Sequence, residues 1–67
     1  MVNNQAWIQE IINKGEVIAR NSKLNLYAMY YHSNAYCIYN MDIISVSFTK
    51  EVARRVYNRT KKSLNVA

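Results

Sequence analysis

The sequence predicts an α+β domain: an N-terminal helix, an antiparallel meander of three to four strands, and a basic amphipathic helix at the C-terminus. Three observations predict it. Apolar residues recur at helical spacing at both ends of the chain, β-branched and aromatic residues crowd the middle, and turn residues punctuate that middle at short intervals. Sixty-seven residues make one domain with a small core.

The first helix is capped by Asn3 or Asn4 and carries Ala6, Trp7, Ile8, Ile11 and Ile12 on one side, with Gln9, Glu10, Asn13 and Lys14 on the other. Gly15, the only glycine, stands where a helix stops. A second reading continues the helix through Val17 and Ile18 to Arg20, because a helical glycine costs only about 1 kcal/mol relative to alanine.

Strands are expected at Glu16 to Arg20, Leu24 to His32, Ala35 to Tyr39 and Ile43 to Ser47, separated by Asn21-Ser22-Lys23, Ser33-Asn34 and Asn40 to Asp42. A two-residue Ser33-Asn34 loop sets Tyr31 opposite Tyr36, Tyr30 opposite Cys37, Met29 opposite Ile38 and Ala28 opposite Tyr39. One face of that hairpin then holds Leu24, Leu26, Ala28, Tyr30, Cys37 and Tyr39; the other holds Tyr27, Met29, Tyr31, Tyr36 and Ile38. Both are apolar or aromatic, so both need cover.

The last helix is expected from Thr49 to about Ser63, capped by Ser47 or Thr49, with Leu64 to Ala67 frayed. Its apolar stripe is Phe48, Val52, Ala53, Val56, Tyr57 and Thr60, with Glu51 at the start and Arg59, Lys61 and Lys62 at the end complementing the dipole. Charge is segregated. Up to residue 47, Lys14, Arg20 and Lys23 balance Glu10, Glu16 and Asp42; beyond it, Lys50, Arg54, Arg55, Arg59, Lys61 and Lys62 face only Glu51, so the entire net charge of +5 lies in the last third.

Arg54, Arg55, Arg59, Lys61 and Lys62 are therefore the candidate site for an acidic partner, either a protein surface or a nucleic acid. Six tyrosines are many for this length, and Tyr27, Tyr31 and Tyr36 form a stacking or interface face if that side of the sheet is open. No glycine-rich RNA-recognition signature accompanies them. His32 and Cys37 fall on one face in this register, yet they are most simply a turn residue and a small buried hydrophobe.

Four scattered carboxylates suggest no acid–base pair, and the single cysteine allows neither an internal disulfide nor a zinc site. No catalytic residue, cofactor, metal or small-molecule substrate is expected. Without a disulfide to staple so small a core, a homodimer is the natural source of further burial. No secretion signal or spanning segment is present, so a cytoplasmic protein is expected, and the Asn58-Arg59-Thr60 sequon reads as accidental.

In composition, a very short chain rich in Asn, Ile, Tyr and Lys, the sequence resembles the small accessory proteins of phages with AT-rich genomes. Very small proteins without a nucleic-acid motif more often act by occupying another protein's surface, so a regulator or inhibitor of a host protein is expected, acting through the sheet face or the basic helix. RNA or single-stranded nucleic acid is the alternative partner.

Overall fold

A computed structural model of the chain describes residues 4–66 and shows an α+β fold. α1 (Asn4–Lys14) buries Ile8 and Ile11, one helical turn apart, and turns Gln9 and Asn13 to solvent. The alternative cap Asn3 lies outside the described residues. Gly15 donates the last helical N–H to the Ile11 carbonyl at 2.8 Å, and the chain then leaves the helix through a gap that only glycine fits. A Cβ at this position would stand 2.5 Å from the Ile11 carbonyl oxygen and 3.1 Å from that of Tyr30.

The longer helix, running to Arg20, is not formed. Residues Glu16–Asn21 are β1, followed by β2 (Leu26–Tyr31), β3 (Asn34–Tyr39) and β4 (Asp42–Ser47) in an antiparallel sheet of order β1-β2-β3-β4. β2 starts two residues later than the sequence predicts, because Ser22–Leu24 form a 3₁₀ turn. Asn21 accepts from the Leu24 N–H at 3.3 Å, and Asn25 closes the turn in the left-handed region at φ 53°.

The hairpin register also differs. His32 and Ser33 are the turn pair, at φ 48° and 65°, as a type I′ turn requires, so Tyr31 pairs with Asn34, Met29 with Tyr36 and Ala28 with Cys37. The expected loop lay one residue too far along the chain, which displaced the pairing by two. Side chains alternate with period two, so every residue kept its face. Asn40 and Met41 repeat the left-handed pair at φ 52° and 63°, and Asp42 opens β4 opposite Tyr39 instead of ending the turn.

The fold has three layers. α1 lies on Met29, Tyr36 and Ile38, with Tyr27, Tyr31, Met41 and Ile43 packed around them. On the opposite face, Ala53 and Tyr57 lie on Leu26, Ala28, Ala35 and Cys37. The second face is thus covered by the chain's own helix. Small residues dominate beneath the C-terminal helix, where Ala28, Ala35, Cys37 and Ala53 are all fully buried, and they allow helix and sheet to approach closely.

The C-terminal helix, α2, spans Lys50–Val66 and so outruns the expected end at Ser63. Leu64 is helical and half-buried, since it returns to the apolar stripe four residues after Thr60, and no breaker intervenes. Lys61 and Lys62 consequently do not occupy the last turn, which holds no basic residue, and Ala67 lies outside the described residues. Thr49 caps the start by accepting from the Val52 N–H at 3.4 Å. Phe48 does not belong to the buried stripe: it is 85% exposed. It follows β4 before any helical residue, so helical periodicity does not govern where it points.

Candidate functional site

The six cations of α2 do not form one patch. Successive residues turn by about 100° around a helix, which divides them into one row beside the buried stripe and another on the face opposite it. One row, Lys50, Arg54 and Lys61, follows the flank toward β1. Lys50 Nζ lies 2.6 Å from Glu16 Oε2 and 4.9 Å over the Tyr30 ring, and Arg54 donates to the Ile18 carbonyl at 3.4 Å. The other row, Arg55, Arg59 and Lys62, points outward and away from β1. Arg54 is therefore separated from Arg55 and Arg59, with which its sequence position groups it.

Within the outward row, Arg55 pairs with Glu51 at 3.4 Å, one helical turn away, and both side chains are mostly exposed. Such a pair contributes about 0–1 kcal/mol and yields readily to a stronger partner. Arg59, Lys61 and Lys62 are exposed and form no ion pair among the described residues.

The tyrosine face lies under α1. Tyr36 is 7% exposed and Tyr27 is half-buried within the same cluster. Tyr31, also half-buried, donates its hydroxyl to Glu10 Oε2 at 2.6 Å, which raises its pKa, and its ring stands between Trp7 at 5.7 Å and His32 at 4.0 Å. Tyr36 is thus closed off and the other two rings are half-covered, with the hydroxyl of Tyr31 tying β2 to α1.

His32 and Cys37 are not brought together. His32 sits in the turn against Tyr31, whereas Cys37 is fully buried beneath α2, where burial pushes its thiol up to about 11. Folded protein should therefore resist iodoacetamide at pH 7.5 and react only as it unfolds; fast labelling that is indifferent to urea would contradict this placement. Because the folded value exceeds the usual 9.0, this thiol's contribution to stability is intact below pH 9 and is lost as pH rises through about 11.

One surface escaped the sequence reading. Ile44, Val46 and Phe48 are 44%, 58% and 85% exposed along and just beyond β4, an edge strand. At the other end of β4, Trp7, Ile8, Asp42 and Ile43 line an open groove of about 320 Å³. The available signal was the segment from Asp42 to Thr49, which holds a single charge and four large apolar residues. Among the described residues no helix is long and apolar enough to cross a membrane. Comparison with family models, curated proteins and solved structures finds no match to this chain.

Proposed function

We propose that this chain is a small non-enzymatic regulatory protein of the cytoplasm, which docks on an acidic surface of another protein and modulates it. The contact is made by the outward row of α2, Arg55, Arg59 and Lys62, with Lys61 at the margin on the flank toward β1. The observation that carries this reading is that these cations stand exposed on a rigid, docked helix, with Arg55 held only by a solvent-exposed pair. A route through a sheet face is less favoured, since a helix covers each face. Nucleic acid is likewise less favoured, because the rings that would stack on bases pack against α1. The reading includes self-association, as a small core without a disulfide gains most from a second copy.

A variant with Arg55→Gln, Arg59→Gln and Lys62→Gln tests the contact, and exposed substitutions of this kind should alter stability by no more than about 0.5 kcal/mol. In nuclease-treated lysate, cross-linking to the wild type should yield a discrete acidic protein that the variant fails to capture. Wild-type protein should also bind single-stranded oligouridylate only weakly at about 200 mM salt. Tight oligonucleotide binding that weakens steeply with salt would transfer the site to nucleic acid, and equal capture by the variant would remove it from α2.

A further inference from the structure

The four side-chain carboxylates fall into two pairs. Glu16 and Glu51 are each paired with a cation of α2, Lys50 and Arg55 respectively. Glu10 and Asp42 form no ion pair among the described residues, although Lys14 stands one helical turn beyond Glu10. Both of these unpaired residues border Trp7. Glu10 follows Trp7 by three positions on α1, which makes the two neighbours on the helix surface, and Asp42 lines a groove together with Trp7. Glu10 is also only half engaged. Its Oε2 accepts from the Tyr31 hydroxyl at 2.6 Å, which fixes the carboxylate in place, while its Oε1 accepts no hydrogen bond among the described residues.

We propose that Trp7 and Glu10 receive the guanidinium of an arginine carried by a partner protein, stacked on the indole and hydrogen-bonded to Glu10 Oε1. An apolar side chain next to that arginine enters the groove lined by Trp7, Ile8, Asp42 and Ile43. The contact lies on α1, across the sheet from α2, and stands or falls independently of the one proposed for α2.

Three features select this occupant. The first is charge: a carboxylate already held by one hydrogen bond gains a charge-assisted second one, and Asp42 adds a further unpaired negative charge at the groove. The net charge of +5 does not prevent it, because that excess sits with α2 on the other face of the sheet, roughly two Debye lengths away at physiological salt. The second is shape. Trp7 is 37% exposed and already leans on Tyr31 at 5.7 Å, so it offers a flat outer surface, which suits a planar guanidinium better than a strongly hydrated ammonium. The third is depth. The groove is open and its 320 Å³ is at the lower limit for a small-molecule site, so a free ligand would stay largely wet. A side chain does not face that limit, since the chain that carries it makes contacts of its own.

The probes are acetyl-Leu-Arg-Leu-amide and its citrulline counterpart, which keeps the shape and loses the charge. Trp7, the only tryptophan, reports binding through its emission. At pH 8 and about 150 mM salt, the arginine peptide should saturate that signal with a dissociation constant of about 0.1–1 mM, and the citrulline peptide should bind at least about 10-fold more weakly. Glu10→Gln should weaken the arginine peptide by about 5- to 10-fold with an unchanged circular dichroism spectrum, because glutamine still accepts from the Tyr31 hydroxyl. The variant with Arg55→Gln, Arg59→Gln and Lys62→Gln should bind the peptide as the wild type does. An unmoved emission up to about 10 mM peptide overturns the site, as does equal binding by the citrulline peptide or by Glu10→Gln, or loss of binding in the α2 variant. Agmatine, a guanidinium on a short alkyl chain, should bind at least about 10-fold more weakly than the peptide; equal binding overturns a protein as the occupant.

Discussion

Replacing Ile38 by alanine should destabilise the fold by about 2–5 kcal/mol. Ile38 is fully buried on a central strand, paired with Tyr27 on one side and Ile43 on the other, and it belongs to the cluster that Ile8 and Ile11 close from above. Truncation removes apolar contact and leaves a cavity that cannot collapse, because strands flank it on both sides and α1 roofs it. A chain of this length has only about 3–10 kcal/mol of stability in total. The variant should therefore be partly or wholly unfolded at 25 °C in urea titrations followed by circular dichroism. Ile44→Ala, on the exposed edge of the same sheet, should lose less than about 1 kcal/mol. Equal losses at the two positions would mean that α1 does not cover the sheet.

Gly15→Ala should cost about 2–4 kcal/mol, far more than propensity alone suggests. The new methyl group would press on two backbone carbonyl oxygens, Ile11 at 2.5 Å and Tyr30 at 3.1 Å, with the Met29 side chain at 3.4 Å. Met29 can move, but the two carbonyls are held: one belongs to the last turn of α1, the other to β2. Relief requires lifting the end of α1 from the sheet, which uncovers Ile11 and Met29. In hydrogen exchange the amides of α1 should lose protection before those of β2 and β3. A loss below about 0.5 kcal/mol would show that α1 and β1 are not joined this closely.

The division of the sheet into two apolar faces was legible in the sequence even though the pairing was not. Alternation assigned Ala28 and Cys37 to one face and Met29 and Ile38 to the other, and a displacement of two residues leaves such assignments untouched. What alternation cannot reveal is which two residues turn. His32-Ser33 and Asn40-Met41 both adopt left-handed pairs without glycine, so the usual Asn-Gly or Asp-Gly mark was missing.

The charged site was readable as composition but not as shape. A run of cations announces itself, whereas the separation of Arg54 from Arg55 depends on β1 standing close enough for Arg54 to reach the Ile18 carbonyl. Phe48 was misplaced because an apolar residue just before an amphipathic helix resembles the helix's own stripe. Only the position of the helix start separates the two cases. Gly15, by contrast, was read as a stop and is one, for a reason the sequence could not show: the near approach of β2.

The meander also has a temporal side. Each strand pairs with its neighbour in the chain, so little loop entropy is lost at each step and the sheet can assemble early and quickly. During synthesis α1 emerges first and can roof its face as soon as β4 is out. Leu26, Ala28, Ala35 and Cys37 must wait for the seventeen residues of α2, with their apolar face bare until that helix leaves the ribosome. The basic helix is thus made after the sheet that it covers, and a nascent chain that stalls before it presents an unshielded sheet to whatever chaperone or neighbour stands at the tunnel exit.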